Sequence, residues 1–514
     1  MKAGNRIISN TLILYVSIIV SILISLYSVR LVLSALGAVD YGIFNVVMGV
    51  VSMLSFLNAS LTVSTQRFLS FYQGANDRKK IVDTFNHSLL LHIIIGLLLM
   101  SFLCGTGGFI IDNYLQIPAD RMETAKIIFL CSSVAVFFTF ISVPYVAVIN
   151  ANEKMVIIAS VSVFEALSKL VLAVHLTLAE GDLLLVYGIS MGLITVFSFV
   201  IYYVTCFRFD ECRHVSFRNI NGRLMRELGS FAGWNIIGSV TGLSKNQGMA
   251  VLFNMFQGPA VNAAYAVAYQ ASANLNIFSA TMLRAVNPQI MKSEGAGNHA
   301  RMLYLSNKAC KYGFLLLAVF ALPCIFEMHN IIGLWLKEVP EYTVLFSRLI
   351  LLAMMADQLT VGLDSAFKSC NFVRHSAIYV GVVKLTILPL GYVLLKLQMS
   401  VYWVVILYAL VELLAGAVRI ILSKRLMGLH ISAYFREVPL RLVLPMVITG
   451  CVCALGIKNM SSEFRLFITL PLAAIVFCIT AYRCSLQDTE RMFVKTYMKE
   501  GINKLRHGKN SLNY

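Results

Sequence analysis

The chain has 514 residues, of which 58% are hydrophobic and only 13% are charged, and its mean hydropathy is +0.78. Soluble domains carry about 25% charged residues, so this composition excludes a water-soluble globule and predicts an all-α polytopic membrane protein. The net charge of +17 lies mainly in connectors between apolar segments, so membrane topology accounts for most of it without a nucleic-acid partner.

Apolar windows of about 20 residues predict the membrane-spanning helices. In chain order we expect about fourteen, near 10–36, 42–64, 84–111, 126–149, 155–178, 183–206, 229–256, 262–285, 309–333, 343–367, 375–396, 401–422, 441–457 and 464–483. The first window is longer than the apolar region of a signal peptide and has no convincing cleavage site, so we interpret it as a retained span.

The orientation follows from the basic residues of the connectors. With the N-terminus in the cytoplasm, the connectors on that side hold 30 Lys and Arg, and those on the other side hold 6. This asymmetry predicts cytoplasmic N- and C-termini and an even number of spans. It also predicts that 486–514 is a basic cytoplasmic tail. The outer connectors are short, which argues against an external catalytic domain.

An internal repeat relates the two halves of the chain. The segment "ALGAVDYGIFNVVMGV" (35–50) joins spans one and two, and "FQGPAVNAAYAVAYQA" (256–271) joins spans seven and eight. An offset of 221 residues aligns Gly37 with Gly258 and Gln66 with Asn287. Six spans separate the copies, so both face the same way, as in transporters built from parallel repeats. We therefore expect an N-lobe (1–215), a C-lobe (216–425) and a further helix pair (426–485).

The N-terminal segment "NRIISNTLILYVSIIVSILISLYSVRLVLSALGAVDYGIFNVVMGV", and above all "LGAVDYGIFNVV", resembles the oligosaccharide flippases of bacterial O-antigen and capsule assembly. These belong to the multidrug/oligosaccharidyl-lipid/polysaccharide exporter superfamily, which includes the MATE exporters. The resemblance implies a V-shaped pair of helix bundles in the bacterial inner membrane. It also implies transport of undecaprenyl-diphosphate-linked oligosaccharide by alternating access, with a glycan polymerase and chain-length regulators as possible partners besides membrane lipids.

Charged residues within the spans are the candidate substrate-binding residues, because a charge near the bilayer centre costs roughly 2.5–3.5 kcal/mol. Such charges must face protein or a wet cavity. We predict a cationic lumen that offsets the diphosphate and is formed by Lys245, Lys169, Lys384 and Arg30. Lys245 is the strongest candidate, since no acidic residue lies within one helical turn of it. Lys169 lies four residues after Glu165, so a self-neutralised pair on one helix face is an equal alternative.

Other charges suggest further roles. Arg67 and Arg284, at the inner ends of spans two and eight, are candidates for a cytoplasmic mouth, or they are simple topology anchors. Carboxylates that permit ion coupling are Glu165, Asp357, Asp364 and Glu412, although the last three also suit neutralisation of Lys384 and Arg419.

The sequence favours a transporter over an enzyme. It contains no nucleotide-binding, nucleophile-elbow or zinc motif in a suitable context, so we expect no catalytic residue, cofactor or metal. Two alternatives remain: a MATE-type multidrug exporter, whose mostly cationic substrates do not suit a lysine-lined lumen, and a membrane polysaccharide polymerase or ligase.

Overall fold

The computed structural model describes residues 2–115, 117–218, 220–336, 339–459, 462–492 and 495–496. In this part of the chain the regular structure is helical. Most of the predicted basic tail (486–514) lies outside the described residues.

The described helices follow the predicted spans closely. We number those of seven or more residues α1 (Lys2–Ser52), α2 (Ser55–Gly74), α3 (Arg78–Tyr114), α4 (Met122–Ala151), α5 (Met155–Leu176), α6 (Leu183–Cys206), α7 (Gly222–Gly295), α8 (His299–Trp335), α9 (Thr343–Gln358), α10 (Val361–Ser369), α11 (Val373–Lys396), α12 (Val401–Met427), α13 (Ile431–Glu437), α14 (Pro439–Asn459) and α15 (Ser462–Thr480). Within the described residues, 11 helical segments are long and apolar enough to cross a membrane. The all-helical multi-span fold is confirmed, and the count of fourteen stays a prediction.

Two helices are too long for one crossing. At 1.5 Å per residue, the 51 residues of α1 and the 74 residues of α7 would extend far beyond a bilayer core of about 30 Å. Each is broken at one glycine with positive φ: Gly37 (φ 75°, ψ 171°) and Gly258 (φ 81°, ψ −179°). The two breaks have nearly the same backbone geometry and lie at the two positions that the 221-residue offset aligns.

The repeat continues beyond the segments that the sequence analysis aligned. Asn76 and Gly297 both have positive φ, at 54° and 72°, and they are also 221 residues apart. Each is followed by the residue that caps the next helix: Asp77 accepts a hydrogen bond from the Lys80 amide, and Asn298 accepts one from the Arg301 amide. The loop between α2 and α3 and the loop between α7 and α8 therefore have the same construction.

Each half has its own apolar core. In the N-lobe, α1 packs along α5, α3 packs on α4, and α4 packs on α6. In the C-lobe, α7 packs on α8 and α9, and α9 packs on α12, while α14 and α15 pack together against α8. The halves meet mainly along α2 and α7. The lobe boundary predicted at 215 falls between helices, whereas the one at 425 falls in the last turn of α12. Both stay predictions.

We call the end of the molecule where α2 passes into α3 the basic face. It carries the connectors with most of the Lys and Arg residues and is the face predicted to be cytoplasmic.

Candidate substrate cleft

Two glycines bring the halves into backbone contact at the basic face. A Cβ atom on Gly74 would lie 2.1 Å from the Lys292 carbonyl oxygen, and one on Gly295 would lie 1.9 Å from the Phe71 carbonyl oxygen. Each glycine and each contacted residue has its counterpart 221 positions away, so the contact is symmetric. Only a residue without a side chain fits at either position, and we call this crossing the glycine closure.

Polar bonds between the halves surround the glycine closure. The Lys292 ammonium contacts Glu153 at 2.6 Å, and the Gln289 amide donates to the same carboxylate at 2.7 Å. Arg67 donates from Nε and Nη2 to the carbonyl oxygens of Lys368 and Ser369, at 3.1 and 3.0 Å. Arg67 was a candidate for the cytoplasmic mouth or for a topology anchor. In the structure it is buried, because these carbonyls and the rings of three neighbouring phenylalanines enclose the guanidinium: Phe68, Phe71 and Phe231.

Further contacts lie deeper between the halves. The Tyr15 hydroxyl donates to the Phe278 carbonyl at 2.6 Å, and the Ser60 and Ser239 hydroxyls lie 2.7 Å apart. The Asn235 amide donates to the Ser60 carbonyl at 2.7 Å. These inter-lobe bonds all lie on the side of the molecule that is nearer the basic face. The described structure is therefore closed at that face.

Two predicted lumen residues lie inside the C-lobe in an ion network. Lys245 pairs with Glu412, and its ammonium also donates to the Tyr408 hydroxyl at 2.8 Å. Lys384 contacts Glu412 at 2.9 Å and Asp357 at 3.0 Å. These side chains line a cavity of about 180 Å³ with neutral polar side chains such as Asn246 and Gln358.

This placement corrects the expectation of an unpaired ammonium group at Lys245, and it agrees with the alternative that nearby carboxylates neutralise Lys384. Their carboxylate partners come from α9 and α12, far along the chain, so the absence of an acidic neighbour within one turn of Lys245 did not mean the absence of a partner. Arg419 completes the network with a contact of 3.3 Å to Asp357. Three cations and two carboxylates leave it with a net formal charge of +1.

Asp364 is also part of an ion pair. Its carboxylate contacts Lys368, four residues later on α10, at 2.8 Å and accepts a hydrogen bond from Ser376 at 3.1 Å. Of the four carboxylates predicted to permit ion coupling, Asp357, Asp364 and Glu412 therefore neutralise cations of the C-lobe.

Lys169 and Glu165 lie on the other half, and they do not form the alternative self-neutralised pair. No ion pair joins them, although both lie on α5 within the described residues. Lys169 is exposed, and the exposed apolar residues Leu167 and Val171 lie two positions before and after it. Two positions correspond to a rotation of about 200° around a helix, so both apolar residues lie on the side of α5 opposite Lys169. Lys169 thus points away from the apolar surface that suits lipid.

Arg284 lies on α7, in the other half of the chain. It is exposed and, like Lys169, has no carboxylate within 4.0 Å among the described residues. We call Glu165, Lys169 and Arg284 the cleft charges.

Arg30 is exposed in the half of α1 that leads to the Gly37 break, and it has no ion pair among the described side chains. Sequence reasoning missed the glycine closure, whose signal was present: "GAND" (74–77) and "GAGN" (295–298) are separated by the repeat offset.

One group of side chains has metal-ligand chemistry. Glu294, His299 and Cys370 each offer a ligand atom, and these atoms lie within 4.8 Å of one another. His299 Nδ1 lies 2.8 Å from the Glu294 carboxylate, and Nε2 lies 2.9 Å from the Met427 carbonyl. The contact with Glu294 is internal to the group, and the contact with Met427 joins the turn between α7 and α8 to the end of α12.

Comparisons with known proteins agree with this architecture. A family model described as "Polysaccharide biosynthesis protein" matches residues 7–294. A crystal structure of a mutant MATE transporter aligns with a TM-score of 0.72 at 13% identity, over 83% of this chain and 96% of that chain. A MOP-superfamily transporter from Pyrococcus furiosus, whose description reports a binding pocket of reverse polarity, aligns with a TM-score of 0.68 at 13% identity, over the same shares. An outward-facing multidrug-resistance MATE transporter gives 0.69 at 14% identity, again over 83% and 96%. No curated protein matches significantly.

Proposed function

The chain belongs to the polysaccharide biosynthesis protein family, and from that premise we propose that it is a flippase for oligosaccharides linked to undecaprenyl diphosphate. It is a multi-pass membrane protein with the MATE transporter fold. The proposal adds the substrate, the bacterial inner membrane as location and the direction of transport, from the cytoplasmic to the outer leaflet.

One observation carries the proposal: exposed cations without a carboxylate partner among the described residues come from both halves, Lys169 from α5 and Arg284 from α7. A diphosphate-linked glycan needs a hydrated path with positive charge, because its headgroup is too polar for lipid. Glu165 leaves the three cleft charges with a net formal charge of +1. This balance favours an anionic headgroup over the cationic substrates expected of a multidrug exporter.

The mechanism we propose is alternating access. The glycine closure and the bonds of Arg67 and Lys292 hold the basic face shut in the described state. Separating the halves at this face would expose Arg284 and Lys169 to a headgroup from the cytoplasmic leaflet. Closing the face again would leave the headgroup a path toward the outer leaflet while the prenyl chain stays in lipid.

A genetic experiment tests the proposal. Deleting the gene in its host should cause lipid-linked repeat units to accumulate in the cytoplasmic leaflet, where enzymes added from outside cannot reach them. Expression of the wild-type chain should reverse this accumulation. The variant Lys169→Gln/Arg284→Gln should fail to reverse it at normal protein levels, whereas Arg301→Gln, an exposed arginine at the start of α8, serves as the matched control. Repeat units that remain accessible from outside after deletion would overturn the proposal.

A further inference from the structure

A separate cavity opens at the basic face, within the C-lobe and away from the cleft charges. It has a volume of about 420 Å³ and lies between the first turns of α7 and the start of α11. A water molecule occupies about 30 Å³ in the liquid, so this space holds a group much larger than one water or a single small ion. The function proposed above assigns it no role.

Positive charge dominates the wall of this cavity. Three arginines line it, Arg223, Arg226 and Arg374, against one carboxylate, Glu227. Glu227 contacts Arg223 at 3.4 Å, while Arg226 and Arg374 have no ion pair among the described residues. The lining therefore has a formal charge of +2, and two of its guanidinium groups are available to an anion.

Neutral polar groups complete the lining. His375 Nδ1 is buried and has no hydrogen-bond partner among the described residues, and Ser230 and Asn371 also line the space. A buried polar atom without a partner costs roughly 1–3 kcal/mol. A ligand with acceptor oxygens would accept a hydrogen bond from His375 Nδ1 when this nitrogen carries a proton.

The cavity also has an apolar side. Trp234 and Phe231 line it, and the Arg374 guanidinium lies 5.3 Å from the Trp234 ring centroid. Trp234 is twelve residues into α7, about 18 Å along the helix from its first residue. Tryptophan is typical of membrane–water interfaces, and basic cavities between helices on the cytoplasmic side suit anionic headgroups.

We propose that this cavity binds the phosphate-bearing headgroup of an anionic membrane lipid at the basic face. Two arginine forks match phosphate oxygens better than a monovalent carboxylate, and the tryptophan side fits the adjoining glycerol or prenyl end. Two lipids supply this chemistry, a bulk anionic phospholipid and a prenyl diphosphate, and the experiment distinguishes them. The inference rests on the cavity alone and does not depend on the proposed transport function.

Fluorescence of Trp234 measures binding directly. The chain has three tryptophans. The other two, Trp335 and Trp403, lie at the ends of their helices that are far from the basic face. The purified full-length variant Trp335→Phe/Trp403→Phe therefore reports on this cavity. It is titrated in detergent with dihexanoylphosphatidylglycerol, dihexanoylphosphatidylcholine, undecaprenyl diphosphate and inorganic diphosphate.

We expect a saturable signal with phosphatidylglycerol, with undecaprenyl diphosphate or with both, and binding of zwitterionic phosphatidylcholine at least tenfold weaker. A signal with undecaprenyl diphosphate only identifies the prenyl carrier as the ligand, and comparable signals with both identify a general anionic-lipid site. Saturation by inorganic diphosphate alone, or by none of the four probes, would overturn the proposal.

Variants separate this cavity from general attraction to a basic surface. Arg226→Gln/Arg374→Gln should weaken binding at least tenfold, since each loses a charge-assisted hydrogen bond, and Arg301→Gln should not change it. Because Arg374 contacts Trp234, native mass spectrometry of retained phosphatidylglycerol provides a second readout that is independent of fluorescence. Equal lipid retention by the double variant, with an unchanged elution profile, would refute the assignment.

Discussion

At the scale of single residues, the intramembrane charges fall into two groups with different expected roles. The cleft charges have no ion-pair partners among the described residues. Lys245, whose side chain is 9% exposed, pairs with Glu412, whose side chain is 5% exposed. A paired, buried charge contributes mainly to folding, and breaking such a pair typically costs 3–5 kcal/mol because one ion stays buried without its partner.

We therefore expect Lys245→Met to lower the thermal stability of the purified protein strongly, with Glu412→Leu doing the same. The double variant Lys245→Met/Glu412→Leu should recover much of the loss, because neither charge then lies buried alone. Lys384 also contacts Glu412, so the recovery should be incomplete. Thermal unfolding in detergent measures all three. Additive losses in the double variant would show that the pair is not the stabilising unit.

The glycine closure gives a second prediction at this scale. Gly74→Ala or Gly295→Ala places a methyl group about 2 Å from an opposing carbonyl oxygen, and overpacking of this kind typically costs 1–3 kcal/mol. The cost falls only on the state closed at the basic face, so the population should move about five- to hundredfold toward the open state.

Spin labels on Val39→Cys and Gln257→Cys, in a variant without native cysteines, measure this shift. Both positions are exposed near the breaks at Gly37 and Gly258, and their separation should decrease as the basic face opens. Gly42→Ala is the matched control, because nothing lies within 4 Å of its added Cβ. Identical distance distributions in Gly74→Ala and Gly42→Ala would contradict the closure.

Sequence reasoning worked well for residues whose environment is local and poorly for those with distant partners. The Gly37–Gly258 alignment was visible because both glycines lie at the same position in a repeated segment. The partner of Lys245 was not visible, because Glu412 lies 167 positions away along the chain and only tertiary packing brings the two residues together. The same limit hid the burial of Arg67 against α10.

At the scale of elements, helix ends were predictable because apolar length and capping residues define them. The predicted span 183–206 coincides with α6, and Asp182 caps it by accepting from the Leu185 amide. Spans seven and eight were predicted separately, and the break at Gly258 lies between them. Apolar length therefore finds these crossings, and the repeated glycine marks the point where they are divided.

The segment after α15 is held to α8 by Lys308 and Lys311, which bond to Gln487, to the Ser485 carbonyl and to the Glu490 carboxylate. Glu490 contacts the ammonium groups of Lys308 and Lys311, the latter at 2.7 Å. Burial by itself raises the pKa of the Glu490 carboxyl, but hydrogen bonds from both lysines outweigh it and lower the pKa to about 2. The unfolded carboxyl titrates near pH 4.5, so the stabilising contact is complete above that pH and is lost as the pH falls toward 2.

We predict that Glu490→Gln releases this segment at neutral pH, and that the wild type does so only between about pH 4.5 and 2. Hydrogen exchange of the peptide containing 486–492 measures the release, and Asp488→Asn, at a carboxylate that is 90% exposed, is the control. Equal exchange rates in Glu490→Gln and the wild type at pH 7 would contradict the prediction.

At the scale of the whole molecule, two similar halves meet at the basic face. The symmetry of the breaks at Gly37 and Gly258, and of the contacts at Gly74 and Gly295, suits the rocking of the halves that we propose. Gly295 of the glycine closure and Arg284 both lie on α7, so one element links the closed face to one of the cleft charges.

The most direct test of the account uses purified protein in liposomes. A prenyl-diphosphate-linked oligosaccharide with a fluorescent sugar is bleached by a reductant that cannot cross the membrane, so bleaching beyond the outer-leaflet fraction reports translocation. We expect rapid further bleaching with the wild type. With Lys169→Gln/Arg284→Gln we expect a rate at least tenfold lower, because each substitution removes a charge-assisted contact to the diphosphate. A wild-type rate equal to that of protein-free liposomes, or an unaffected double variant, would contradict it.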